Sequence, residues 1–187
     1  MWFASPYRRK IAQKALVYHL NISNALAAKL AKHNFRHTGR SFVEVFLTRK
    51  VDYRFASSSI TYENATLFQQ MVHEQRPIVA TTGHLGAWEL LTPILAMHFK
   101  AKQRQIIVKH AKDKALARVV SHFRGLGGNE ILSKDDTAPS VLRCMQDKGV
   151  SAFLVDHNAK RNQSLFLPFL GQTASVNIGP AVLAIRS

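Results

Sequence analysis

The sequence predicts an α/β fold in which helices flank a mostly parallel central sheet. Two observations carry this prediction. Short apolar, partly β-branched segments bounded by Gly, Pro or charged residues recur along the chain, and patterns of helical period lie between them. Strands that alternate with helices favour parallel pairing, because a crossover helix returns the chain to the start of the next strand.

The elements are predicted in chain order. Residues 7–48 form a basic, amphipathic helical opening, which either lies on an anionic membrane or caps the core with its charges in water. Strands are predicted at 78–82, 105–108, 130–132 and 150–155. Helices are predicted at 64–74, 88–99, 113–123 and 139–148. The last helix has Thr137 as its cap, Pro139 in its first turn and Gly149 past its end.

The length and composition predict one domain. A chain of 187 residues, 47% apolar and 20% charged, can bury a single core. We expect a helical, membrane-proximal segment at 1–50 and an α/β core at 60–187. The apolar, helix-like segment 177–185 leads us to expect a domain truncated at its carboxyl end. The lone Cys144 has no partner for an internal disulfide, which suits a reducing, cytoplasmic setting.

The charge balance predicts an anionic partner. The chain has 26 Lys and Arg against 11 Asp and Glu, a net charge of +15, where small soluble domains typically carry about 2 to 8. Nucleic acid, an anionic lipid surface, a phosphorylated glycolipid and an acidic carrier protein would all be attracted. No helix-turn-helix, zinc-finger or base-stacking pattern is present, so nucleic acid is the less favoured partner. No segment reaches the roughly 18 apolar residues of a membrane span, and no cleavable export signal is visible.

The chemistry is predicted to lie in the H-x4-E segment that follows the first strand. His84 comes directly after that strand, and Glu89 stands five positions later, where a helix should begin. Gly83 and Gly86 let the backbone turn tightly and approach a substrate. Ligands of α/β proteins bind at the carboxyl ends of parallel strands. We expect Glu89 to hold one ring nitrogen of His84, which leaves the other nitrogen to act as a base.

Such a pair can activate a hydroxyl for attack on a carbonyl without a serine or cysteine nucleophile. The blander interpretation of an isolated H-x4-E match is a histidine held by local hydrogen bonds beside an exposed glutamate. Six further histidines lack any close ligand spacing, so no metal site is predicted; they are His33, His37, His73, His98, His110 and His122.

Three sequence blocks resemble those of the bacterial lipid A biosynthesis acyltransferases, which belong to the lysophospholipid acyltransferase superfamily. The blocks are TGHLGAWELL at 82–91, VDH at 155–157 and FLPFLG at 166–171, and the likeness spans about 72–185. The glycerolipid branch of the superfamily normally has aspartate at the position of Glu89. The glutamate therefore favours the lipid A branch.

The resemblance implies transfer of an acyl chain from acyl carrier protein to a hydroxyl of a phosphorylated glycolipid, at the cytoplasmic face of the inner membrane. The carrier thioester is the donor, and no cofactor is implied. His84 would be the general base and Glu89 its partner. Arg124 would contact phosphate or the developing oxyanion, and Asp156 would close the site. Lys109 is a weaker candidate for phosphate contact, because a lysine lacks the bidentate fork of the family's usual arginine.

This chain departs from the family pattern at several points. Members often have asparagine at the position of Ala87 and glutamine at that of His157. A typical member also has an amino-terminal membrane helix and a further carboxyl-terminal third. Two alternatives stay open at this stage: acyl transfer to another lysolipid, and a non-catalytic basic domain that binds an anionic membrane or nucleic acid.

Overall fold

Four parallel strands form the centre of the molecule. The computed structural model describes residues 5–74, 76–100, 102–111, 113–134 and 137–187, so the first four residues of the predicted domain lie outside it. The spatial order of the strands is β1-β4-β2-β3. They are β1 (Ile78–Thr82), β2 (Arg104–Val108), β3 (Glu130–Ser133) and β4 (Val150–Leu154). The predicted α/β class and all four predicted strands are confirmed, with ends that differ by at most one residue.

The position of β4 between β1 and β2 decides which loops become neighbours. β1 and β4 pair in parallel, with Ile78 opposite Val150 and Thr82 opposite Leu154. A hydrogen bond of 2.9 Å from the Val155 amide to the Thr82 carbonyl continues this pairing beyond the strand ends. The loops after β1 and β4 therefore leave the sheet side by side.

Helices connect and cover the strands much as predicted. They are α4 (Ala65–His73), α5 (Leu91–His98), α6 (Lys114–Arg124) and α7 (Ala138–Gln146). A 3₁₀ turn, Trp88–Leu90, precedes α5, so the predicted helix 88–99 begins with tighter winding. Asp113 caps α6 by accepting a 2.8 Å hydrogen bond from the Leu116 amide. Thr137 occupies the predicted N-cap position of α7, and its carbonyl accepts a 2.9 Å hydrogen bond from the Val141 amide, but its side chain makes no capping hydrogen bond.

The amino-terminal segment is helical, as predicted, but it is divided. α1 (Pro6–Leu20) ends at Asn21, whose left-handed backbone (φ 50°) turns the chain into α2 (Asn24–Glu44). A 3₁₀ turn, Val45–Lys50, and a short helix not predicted, α3 (Tyr53–Ser59), follow. Segregation of apolar from polar residues is weak in α1 and clearer in α2, which buries Ala27 and Ala31. No helix among the described residues combines the length and the apolarity that crossing a membrane requires.

The carboxyl-terminal part contains a hairpin that the sequence did not predict. β5 (Ser164–Phe169) and β6 (Gln172–Asn177) pair antiparallel, and α8 (Gly179–Arg186) confirms the predicted final helix. Leu170 and Gly171 form the two-residue loop, with φ of 49° and 74°. Positive φ at both positions is what a type I′ turn requires, and Asn-Gly is its usual signal. Leu-Gly, with Pro168 inside β5, did not indicate a hairpin.

The core lies between the sheet and α7. Ile107 and Phe153 of the central strands pack against three fully buried or nearly buried residues of α7, which are Val141, Cys144 and Met145. Val79 of β1 and Leu183 of α8 extend this cluster. The core thus holds β1, β2 and β4 in a fixed order and supports the loops at their carboxyl ends.

Candidate active site

His84 and Asp156 contact each other at the carboxyl edge of the sheet. The ring Nδ1 of His84 lies 2.8 Å from Oδ1 of Asp156, and the backbone amide of His84 donates a 2.7 Å hydrogen bond to Oδ2. Both oxygens of one carboxylate are therefore engaged by one residue. The two side chains are partly open to solvent, at 36% and 40% exposure.

The strand register explains this contact. Partners in β1 and β4 differ by a constant step, from Ile78 with Val150 to Thr82 with Leu154. The same step carried two residues past the strands places His84 opposite Asp156, 72 positions apart in the chain. Gly83 leaves the room they need, since a Cβ there would lie 3.3 Å from both Cγ and Oδ2 of Asp156.

The electrostatics of the pair fix its protonation. Burial alone would raise the pKa of Asp156, but hydrogen bonds from the amide and ring of His84 hold that pKa below its ordinary value. An ionised carboxylate can only accept hydrogen bonds, so Nδ1 of His84 carries the proton. Nε2 is then the ring nitrogen that is not engaged by Asp156. The ring is further positioned by Trp88, at 5.1 Å between centroids in an edge-to-face arrangement.

Glu89 does not make the contact predicted for it. Its carboxylate accepts hydrogen bonds of 2.9 and 2.5 Å from Arg124 and one of 3.1 Å from the indole nitrogen of Trp88. The residue is only 2% exposed. The 3₁₀ turn at Trp88–Leu90 directs its side chain inward, away from the more exposed His84. The predicted Glu89–His84 pairing is therefore corrected: Asp156 contacts the ring, and Glu89 holds Arg124.

A cleft of about 500 Å³ opens beside His84. Its lining includes two of the predicted substrate-binding residues, Lys109 and Arg124, together with Lys134 and Lys160. The charge of Arg124 is balanced by Glu89. Sequence reasoning missed Lys134 and Lys160. Lys134 follows β3 directly, so the rule that sites gather at the carboxyl ends of strands was the signal that could have found it.

Gly86 lies against the amino-terminal helices. Its carbonyl accepts a 2.7 Å hydrogen bond from the hydroxyl of Ser41, a fully buried residue of α2. Its φ of 56° is in the left-handed region, where glycine carries little steric cost. Gly86 thus links the loop that contains His84 to α2 through this hydrogen bond.

The comparison with known families decides the identity. The sequence profile of the bacterial lipid A biosynthesis acyltransferases matches residues 2–187. The chain belongs to this family. The resemblance carried by the three sequence blocks is thereby confirmed, and membership of the family supports the assignment as an acyltransferase. No curated protein matches the chain significantly.

The geometry suits the chemistry of a lipid A acyltransferase. Acyl transfer to a hydroxyl needs a base for the hydroxyl proton and positive charge for the oxyanion or for phosphate. The carboxyl edge of the sheet offers both. The His84–Asp156 pair places a histidine ring at the edge of the cleft, and Lys109 and Arg124 line the same cleft.

Proposed function

We propose that the protein transfers a fatty acyl group from acyl carrier protein to a hydroxyl of a lipid A precursor, with His84 as the general base and Asp156 as its orienting partner. The observation that carries the proposal is the two-point contact between these residues beside a basic cleft. Family membership supports acyl transfer in lipid A biosynthesis. The donor, the acceptor and the residue roles are the proposal.

The reaction follows from the protonation of the pair. Nε2 of His84 removes the proton of the acceptor hydroxyl while the oxygen attacks the thioester carbonyl. The tetrahedral oxyanion then collapses, the carbon–sulfur bond breaks, and the imidazolium returns its proton to the leaving thiolate. Asp156 stabilises the imidazolium formed between these steps, because its carboxylate remains ionised.

The basic residues of the cleft match the charge of the substrates. A lipid A precursor carries phosphate, and the pantetheine arm of the carrier is attached through phosphate. Lys109, Lys134 and Lys160 offer point charges to such groups, and Arg124 offers a fixed guanidinium. We propose that Glu89 is a positioning residue. It orients Arg124 through two hydrogen bonds and does not contact His84.

The amino-terminal helices support attachment to the cytoplasmic face of the inner membrane. Large apolar side chains of α1, α2 and the following 3₁₀ turn are exposed, among them Tyr7, Ile11, Leu26, Phe42 and Phe46. Exposed basic residues lie between them, including Arg8, Lys10, Lys14 and Lys29. Apolar groups can enter the interface while lysines and arginines contact anionic head groups. The net charge of +15 also favours encounter with an acidic carrier protein.

The proposal is tested by acyl transfer from acyl-loaded carrier protein to a lipid A precursor, with a lysophospholipid as the competing acceptor. We expect product with the precursor, and a loss of at least ~10²-fold in turnover for His84→Ala, as removal of a general base predicts. The exposed His33 of α2 provides a matched control, and His33→Ala should retain turnover. Near-normal turnover of folded His84→Ala would overturn the mechanism, and a preference for the lysophospholipid would overturn the acceptor.

A further inference from the structure

A second histidine lies beside the His84–Asp156 pair. The ring of His157 stands edge-to-face against that of His84, with centroids 4.6 Å apart. Its Nδ1 lies 3.8 Å from Oδ1 of Asp156, the oxygen that Nδ1 of His84 contacts at 2.8 Å. One nitrogen or oxygen from each of the three residues lies within 4.8 Å of the others. Two imidazoles and one carboxylate thus lie close enough together to contact a single ion.

We propose that His84, Asp156 and His157 bind a divalent transition-metal ion, with Zn²⁺ as the reference case, and that the bound ion inhibits the enzyme. Two imidazoles and a carboxylate form one of the three-ligand sets that hold zinc while leaving a fourth position for water. The inhibitory part rests on the function proposed above, whereas binding of the ion does not depend on it.

The distances fit this ion with small movements. Zinc–nitrogen and zinc–oxygen bonds of about 2.0–2.1 Å place neighbouring ligand atoms of a tetrahedral site roughly 3.3 Å apart. The His84–Asp156 distance of 2.8 Å would have to open by roughly half an ångström, and the His157–Asp156 distance of 3.8 Å would have to close by as much. The three side chains are 36%, 40% and 74% exposed, so changes of rotamer can supply these shifts and an ion can enter from solvent.

Inhibition follows from the tautomer of His84. In the metal-free protein Nδ1 of His84 lies 2.8 Å from Oδ1 of Asp156, and the proposed function assigns the role of base to Nε2. An ion bound at Nδ1 displaces the proton from that nitrogen and occupies its lone pair, and Nε2 takes up a proton from solvent, so that no net proton is released by the ring. The neutral ring then carries its proton on Nε2, which cannot accept another from a hydroxyl. The ion also withdraws Asp156 from its role as counter-ion.

The chain separation explains why sequence spacing did not indicate this site. His84 and Asp156 are 72 positions apart, and only the pairing of β1 with β4 brings them together. His157 also marks a departure from the family pattern, in which glutamine often stands at this position. Since glutamine lacks an imidazole nitrogen, a chain with glutamine at this position would lack the third ligand of the proposed site.

Calorimetric titration of the full chain with zinc chloride tests the binding. We expect one ion per chain, and His157→Gln should weaken binding at least ~10-fold, because even loss of an outer-shell partner of a metal ligand typically costs 10- to 100-fold in affinity. His33→Gln, at an exposed histidine of α2, should leave binding unchanged, and melting temperatures confirm that the variants are folded. Equal zinc affinity in the wild type and His157→Gln would overturn the site.

The acyl-transfer assay, scored against each variant's own metal-free rate, tests the inhibition. Zinc should inhibit the wild type at concentrations that match its binding, and His157→Gln should need at least ~10-fold more. Binding that depends on His157 without inhibition would overturn the inhibitory part and count against His84 as the base. Inhibition equal in both proteins would overturn the assignment of the inhibitory ion to these residues.

Discussion

His84 and Asp156 are joined by two hydrogen bonds, one from the backbone amide to Oδ2 at 2.7 Å and one from the ring to Oδ1 at 2.8 Å. The hydrogen bond from the His84 amide holds the Asp156 carboxylate in position, and this carboxylate then orients the His84 ring. The orienting group is thus supplied by the loop that follows the neighbouring strand β4 rather than by the 3₁₀ turn that follows His84. Glu89 is free to hold a different residue, Arg124.

Glu89→Gln should lower the free energy of unfolding by about 3 kcal/mol, because it leaves the largely buried guanidinium of Arg124 without its counter-charge. Urea denaturation measures this loss. Glu74→Gln is the matched control, since its partner Arg76 is 77% exposed and such surface pairs contribute about 1 kcal/mol or less. Equal, small losses in both variants would show that the Glu89–Arg124 pair does not stabilise the fold.

Gly83→Ala should reduce turnover on the order of tenfold, with little change in melting temperature. The added Cβ would lie 3.3 Å from Cγ of Asp156, and the carboxylate would have to move by a few tenths of an ångström. Misplacement of catalytic groups by 1 Å can cost about 10²-fold, so a smaller shift should cost less. Steady-state kinetics with the lipid A precursor measures the effect. Unchanged turnover would mean that the position of Asp156 is not critical.

Binding to anionic vesicles should depend on the basic residues of α1. Replacing Arg8, Lys10 and Lys14 by Gln should weaken binding by about 3 kcal/mol, or on the order of 100-fold, at low salt. Co-sedimentation from 0.1 to 1 M salt measures the electrostatic part, since the Debye length falls from about 10 to about 3 Å. A matched variant with Lys114, Arg118 and Arg143 replaced should bind as the wild type does. Equal binding by both variants would contradict the proposed orientation.

His98 should make stability depend on pH. Burial lowers the pKa of His98, whose Nε2 lies 2.9 Å from the hydroxyl of Tyr62. Because the unfolded chain then binds the proton more readily than the folded one, stability should fall as pH drops below about 6.5 toward the folded pKa. Urea denaturation between pH 8 and 5 should show a shallower decline for His98→Gln. His33→Gln, at an exposed histidine, is the control and should decline as the wild type does. An identical decline in the wild type, His98→Gln and His33→Gln would show that His98 does not cause the pH dependence.

The periodicity of the sequence was enough to predict the elements of the sheet but not their order. The strands at 78–82 and 150–154 were evident as short apolar segments, and His84 was evident from its place after the first. The insertion of β4 beside β1 depends on packing across the whole chain. For this reason the Asp156–His84 contact could not be derived from spacing, whereas the local Glu89 was the obvious partner.

Two further differences have local causes. A 3₁₀ turn at Trp88–Leu90, in place of the α-helix expected there, directs the Glu89 side chain into the interior. The hairpin of β5 and β6 was missed because its turn has leucine in the left-handed conformation, where sequence rules expect asparagine or glycine. The local residue pattern favours neither the 3₁₀ turn nor the left-handed leucine, so neither could be predicted from it.

We propose above all that Asp156 orients the ring of His84 and stabilises its imidazolium form. The most direct measurement is the turnover of Asp156→Asn in acyl transfer to a lipid A precursor, with the melting temperature measured on the same protein. Asparagine can still accept the amide hydrogen bond, but it cannot balance an imidazolium, and its NH₂ group facing the ring favours the wrong tautomer. We expect turnover to fall about 10²-fold or more with the fold intact. Turnover near that of the wild type in folded Asp156→Asn would contradict the account.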